Sequence, residues 1–164
     1  RRTQHADRHI GLTAQQVADW EKIKAAERGP AGVLDGVALG LPALVRAVKL
    51  QKRAARVGFD WPSTDEVLAK MREEMAELVE ARESLGPEEV VEEFGDLMFV
   101  MVNLGRHLGV DAEAALRGAN EKFTRRFKYI EAELKAKGSS PDQSDLAEMD
   151  ALWDAAKRVD KGLA

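Results

Sequence analysis

The sequence predicts an all-α helical bundle. Three observations carry that reading: nearly every long segment repeats its apolar residues at helical spacing, no stretch alternates convincingly as a strand, and Gly or Pro breaks fall at helix-sized intervals. Hydrophobic residues make up 45% and charged residues 33% of 164 positions, enough for the core of one domain, or one domain plus a tail.

The elements follow in order. Thr13 is placed to cap a short helix reaching about Glu27, which Arg28-Gly29-Pro30 breaks, and the chain to Gly40 reads as a linker. Leu41-Pro42 opens a helix to about Arg56, with Pro42 suited to its first turn, and Gly58 ends it. After the aromatic turn Phe59-Asp60-Trp61-Pro62, Ser63 or Thr64 can cap a helix running to about Ser84. Gly86-Pro87 is a sharp break before a helix from about Glu88 to His107. Gly109 closes that one, Asp111 caps the next, which runs to about Lys137, and a last helix spans roughly Ser144 to Val159.

The most informative pattern is a double carboxylate pair, Glu74-Met-Ala-Glu77 and Glu93-Phe-Gly-Asp96, separated by fifteen residues. Three-residue spacing puts both acids of a pair on one helical face. Leu68, Met71, Met75 and Leu78 form the expected core stripe of the first acidic helix; Val90, Phe94, Leu97, Met101, Leu104 and Leu108 form that of the second. At roughly 100° per residue, Glu74 and Glu93 fall about 60° from Met71 and Val90, and Glu77 and Asp96 about 120°, on the same rotational side. Four acids converging over one helix seam repel one another unless a cation lies between them, and Mg²⁺ prefers such an all-oxygen environment. Either pair by itself also fits an ordinary solvated face. Glu73, Glu80 and Glu92 add acidity nearby, and Asn103 lies two turns after Asp96, where its amide can meet a ligand or a neighbouring helix.

Basic and aromatic residues gather further on. Lys122 and Arg126 lie one turn apart beside Phe123 and Phe127, in a segment that opens with Asn120. A mobile ammonium and a planar guanidinium suit adjacent phosphates, although the same residues also commonly border a core. Trp153 and Lys157 repeat the arrangement: the indole can stack on a base or dock the last helix. Phe59 with Trp61, and Lys49 with Lys52 and Arg53, offer two more possible pocket linings.

Several classes are disfavoured. A net charge of −4 argues against a nucleic-acid polymer as partner. The absence of cysteine removes disulfides and thiolate chemistry and fits a reducing, cytoplasmic setting. No apolar run approaches the length of about 20 residues that spans a bilayer. Only His5, His9 and His107 occur, too few for a histidine-rich zinc site. With no Gly-rich phosphate loop and no serine elbow, the expected nucleophile is water.

Taken together, the blocks Leu41 to Trp61, Glu73 to Glu77, Glu92 to Phe99, Val102 to Gly109 and Ala119 to Phe127 closely resemble the MazG family of nucleoside triphosphate pyrophosphohydrolases. The family signature, EExxE followed after a spacer by ExxD, is filled by Glu73, Glu74, Glu77, Glu93 and Asp96 without substitution. The likeness runs from about Leu41 to Lys157 and is greatest to the C-terminal catalytic half of two-domain bacterial members. It implies that residues 1–40 are an inter-domain connection, consistent with a first residue other than Met, and that 41–164 form the catalytic domain. It further implies Mg²⁺, with Mn²⁺ as a substitute, on Glu74, Glu77, Glu93 and Asp96. The water is expected to lose its proton to Glu73, or to react as a metal-bound hydroxide without a dedicated base, a choice the sequence leaves open, and Lys122 and Arg126 assist catalysis at the phosphates. Asn103, Asn120, Trp153 and Lys157 join Lys122 and Arg126 as nucleotide contacts. The expected reaction converts a nucleoside triphosphate and water into the monophosphate and pyrophosphate, in a homodimer with a four-helix core. The rival readings are a narrow-specificity dUTP, dCTP or phosphoribosyl-ATP pyrophosphohydrolase and a non-catalytic nucleotide-binding regulatory domain.

Overall fold

Thr13, Gln15, Gln16, Asp19, Trp20, Ile23 and residues 32–163 are described by the structure, a computed structural model. It divides into two units, Arg1–Val37 and Ala38–Ala164. In the first, Thr13 caps as expected: its Oγ1 accepts from the Gln16 N–H at 3.2 Å, and its own N–H donates to Gln16 Oε1 at 2.8 Å. Gln15, Gln16, Asp19, Trp20 and Ile23 are helical; the rest of the helix expected up to Glu27 lies outside the described residues.

The second unit is all-α. Its first helix, α1 (Ala43–Ala55), starts directly after Pro42, whose ψ of 139° holds the entry extended. Gly58, at φ +86°, supplies the left-handed turn that ends this segment. Helix α2 (Thr64–Ser84) is capped by Ser63, whose Oγ accepts from the Glu66 N–H at 3.4 Å. Pro87 starts α3 (Pro87–His107), and the Glu89 carboxylate reaches back to accept from the Gly86 N–H at 3.0 Å. Asp111 caps α4 (Ala112–Ala136), its Oδ1 accepting from the Ala114 N–H at 2.9 Å. The last helix, α5 (Leu146–Asp160), begins later than the sequence reading placed it. Pro141–Gln143 form a separate 3₁₀ turn, Ser144 is extended, and Asp145 is the cap, accepting from the Glu148 N–H at 2.8 Å. The Ser144 hydroxyl donates instead to the Glu148 carboxylate at 2.6 Å.

Packing builds the bundle from two helix pairs. The two-residue link Leu85-Gly86 folds α3 back on α2, and Asp60, just ahead of α2, meets Arg106 and His107 at the end of α3. The pair is therefore antiparallel along its length. Helices α4 and α5 make the second pair, while α1 lies against α3 and α4. Gln51 of α1 donates from Nε2 to the Phe99 carbonyl of α3 at 2.9 Å, tying the two across 48 residues of sequence. Val67, Ala81, Val100, Val102, Ile130, Leu134 and Ala156 are buried; closing a Leu134 or Val67 away from water is worth about 1.5–3 kcal/mol each. No helix among the described residues is long and apolar enough to cross a membrane.

One expectation needs correcting. Met75, Phe94, Met101 and Leu108, read as core, are 50%, 53%, 50% and 59% exposed. The buried face of α2 instead runs Val67, Glu74, Ala81, at seven-residue steps, and that of α3 passes Glu93 and Val100 at the same step. Residues seven apart share a face, so the helix–helix seam runs through the glutamates themselves. They do not flank it.

Candidate metal and phosphate site

Glu74, Glu77 and Glu93 each offer a carboxylate oxygen within 4.8 Å of the other two. Two come from α2 and one from α3, so the antiparallel hairpin creates the cluster. Glu74 is buried, at 5% exposure, and Glu93 is half-buried. Burial, followed by the charge of Glu74, raises the pKa of Glu77 above the usual carboxylate range. Burial also raises that of Glu93, with the charges of Glu77, Glu74 and Asp96 adding to it. Three carboxylates gathered in a partly desolvated seam, two of them with raised pKa values, form a hard-oxygen donor set short of positive charge.

One cation of the protein answers part of that charge. Lys70 Nζ lies 2.7 Å from Glu73 Oε1 and 2.8 Å from Glu74 Oε1, and these hydrogen bonds, Glu73 first, raise the lysine pKa. Glu73 is thus ion-paired on the outer side of α2, with its side chain 57% exposed. Sequence reading did not single out Lys70; its position one turn before Glu74 was the available signal. Asp96 acts electrostatically on Glu93, yet it is outside the group of three that meets within 4.8 Å.

The basic and aromatic residues assemble between α4 and α5. The Arg126 guanidinium carbon sits 5.4 Å from the centre of the Trp153 ring, a cation–π distance. Phe123 packs against the same indole at 5.4 Å between centroids and stacks with Phe127 at 6.1 Å. Asp160, absent from the sequence reading, binds both arginines: Arg126 Nε at 2.8 Å, and Arg125 Nε and Nη2 at 3.1 Å each. Those guanidiniums, Arg125 first, hold its carboxyl down at about 2. Lys157 pairs with Asp154 at 3.0 Å. Lys122 and Asn120 are exposed, and neither has an ion-pair or hydrogen-bond partner among the described residues.

Asn103 belongs to a third grouping. Its Oδ1 accepts from Arg106 Nε at 3.0 Å and from Nη2 at 2.8 Å, and it is buried. Arg106 also pairs with Asp60, which stands 3.0 Å from His107 Nε2. The pair with Arg106 lowers the Asp60 pKa, with His107 contributing. In the aromatic pocket lining suggested by sequence, Phe59 is strongly exposed and Trp61 less so, at either side of Asp60.

The class that fold and site define is an all-α bundle with a carboxylate triad able to hold a cation in one helix hairpin and an arginine set on an indole in another helix pair. Comparison with known proteins narrows the class. Residues 41–123, about half of the chain, match the family model described as phosphoribosyl-ATP pyrophosphohydrolase. The chain is 44% identical to the nucleoside triphosphate pyrophosphohydrolase of Escherichia coli (strain K12), over 93% of its own length and 60% of that protein's. It is 41% identical to the nucleoside triphosphate pyrophosphohydrolase/pyrophosphatase MazG of Thermotoga maritima, covering 87% of the chain and 55% of the relative. It is also 39% identical to the uncharacterized protein YabN of Bacillus subtilis, over 88% of the chain but 30% of that protein. The chain therefore belongs to the family that model describes, phosphoribosyl-ATP pyrophosphohydrolase, and is similar to MazG-type nucleoside triphosphate pyrophosphohydrolases. It spans less than two thirds of the length of these curated relatives.

Proposed function

We propose that this protein is a cytoplasmic hydrolase that converts ribo- or deoxynucleoside triphosphates into the monophosphate and pyrophosphate, with water attacking the α-phosphorus. The observation that carries the reading is the convergence of Glu74, Glu77 and Glu93 in the α2–α3 seam. The donor set is all carboxylate and its charge is incompletely answered by Lys70, which suits Mg²⁺, or Mn²⁺ in its place. Asp96 is kept as a fourth donor because its charge already bears on Glu93. A divalent cation bound there supplies Lewis-acid polarisation of phosphoryl oxygens and neutralises the triphosphate.

The chain's own groups do the rest. Glu73 accepts the proton of the attacking water once its exposed carboxylate leaves Lys70. As the bond from the α-phosphorus to the bridging oxygen breaks, negative charge grows on pyrophosphate, and Lys122 and Arg126 stabilise it. Trp153, already carrying Arg126 on its face, offers the stacking surface; Lys157, Asn120 and the amide NH₂ of Asn103 complete the nucleotide contacts. Residues 1–40 serve as an inter-domain connection and 41–164 as the catalytic domain.

The exposed stripe Met75, Val79, Phe94, Met98 and Met101 on α2 and α3 supports a homodimer in which two such hairpins form a four-helix core. A stripe of this kind is costly to leave in water, and a second copy presents the same pattern.

The decisive experiment incubates the purified protein with a panel of nucleoside triphosphates, with Mg²⁺ or with chelator, and identifies both products. Cation-dependent monophosphate plus pyrophosphate is expected; diphosphate plus orthophosphate overturns the assignment of the broken bond. The matching family model favours one second reading, restriction to phosphoribosyl-ATP, and that compound belongs in the panel. Nucleotide binding without any turnover would instead support a regulatory domain.

A further inference from the structure

We infer that Asp160 is a positioning residue for Arg126, holding its guanidinium against Trp153 by the Nε edge so that the Nη edge faces an incoming triphosphate. The inference rests on the phosphate role proposed above for Arg126. Asp160 ends α5, where the helix dipole is negative and an acid is electrostatically misplaced. Two arginines from α4 offset that cost. Arg125 takes both carboxylate oxygens at 3.1 Å, which fixes the plane of the carboxylate; Arg126 then donates only Nε, at 2.8 Å, to Oδ2.

The geometry is selective. Trp153 and Asp160 lie seven residues apart, on one face of α5, and bracket the same guanidinium from two directions. Phe123 meets the same indole at 5.4 Å between centroids, tilted by 49°, and so helps to hold the ring that Arg126 lies over. Arg126 is 15% exposed at its side chain, against 60% for Arg125, so Arg126 is the inner, sheltered arginine of the two. Its two Nη groups carry no hydrogen bond among the described residues. A guanidinium held by one edge and stacked on one face has its remaining edge preset for a bidentate oxyanion contact. Salt bridging for stability alone would be equally served by Arg125.

The test uses Asp160→Asn, Asp160→Glu, Arg126→Ala and the Arg126→Ala/Asp160→Asn double variant of the full chain. Steady-state kinetics is run with the nucleoside triphosphate that the wild type turns over fastest, and calorimetric binding of inorganic tripolyphosphate is measured beside it. Thermal unfolding and Mn²⁺ binding at the carboxylate triad serve as folding controls. Asp160→Asn is expected to lower kcat/KM and weaken tripolyphosphate binding on the order of tenfold to a hundredfold, with Mn²⁺ binding intact, since small misplacements of a positioned group cost that much. The double variant should fall no further than Arg126→Ala, because Asp160 acts through Arg126. If Asp160→Asn does not fold, Asp160→Glu, which keeps the charge but moves it, must show the same selective loss. Unchanged or tighter tripolyphosphate binding in a folded Asp160 variant overturns the inference, as does additivity in the double variant. Wild-type kinetics in Arg126→Ala would instead sink the phosphate role of Arg126, and the inference with it.

Discussion

Replacing Glu74 with Gln separates what the carboxylate does for the fold from what it does for a cation. Glu74 is buried in the α2–α3 seam, and its Oε1 accepts from Lys70 at 2.8 Å. Without a divalent ion, the substitution weakens that charge-assisted bond, a cost of about 1 kcal/mol. Lys70 is not left orphaned, because Glu73 holds it at 2.7 Å. The change also removes a charge that pushes up the pKa of both Glu77 and Glu93, a partial offset. The net change in chelator should therefore stay within about 1 kcal/mol of zero. Cation binding behaves differently. A ligand at about ten times its dissociation constant stabilises the folded state by about 1.4 kcal/mol. For a chain of this size that corresponds to a rise of roughly 4 °C in Tm. Thermal unfolding with EDTA and with saturating Mg²⁺ should show that rise in the wild type and none in Glu74→Gln. A variant that keeps the full Mg²⁺-dependent rise would refute the assignment of the triad as the cation site.

Other outcomes follow from the same geometry. Asp60→Asn should cost about 1.5 kcal/mol at neutral pH, read by urea unfolding, because it weakens a largely sheltered pair with Arg106. Arg106 depresses the Asp60 pKa below its ordinary 3.8, so this stability is full above that value and is lost as pH falls through the folded value. The gap between wild type and Asp60→Asn should therefore close on acidification; a gap that widens would contradict the clasp. Met101→Lys places a charge in the exposed apolar stripe and should shift the solution mass from dimer toward monomer by light scattering. A monomeric wild type would remove the dimer proposal.

Local signals were legible in the sequence because their physics is local. Ser63, Asp111 and Thr13 cap the helices they were expected to cap, since a side-chain oxygen satisfies a free N–H three residues on. Gly58 turns the chain where its lack of a Cβ allows a positive φ. The Glu74, Glu77 and Glu93 cluster was foreseeable too, from matched spacing on two consecutive helices with a short link. The last helix starts two residues later than the apolar spacing suggested, after Asp145 caps it.

The sequence by itself determined the helices and their order, and it marked the glutamates that meet between α2 and α3. Only the tertiary structure decided which helix face is buried. Apolar periodicity marks two faces alike when one packs within the chain and the other stays exposed, so Met75, Phe94 and Met101 read as core while the seam runs through Glu74 and Glu93. Tertiary structure also set the pairings that join distant residues: Asp160 with Arg126, 34 residues apart, and Asp60 with Arg106, 46 apart. Such contacts follow from how helices dock, and docking is fixed by the summed packing of the whole bundle rather than by any local pattern.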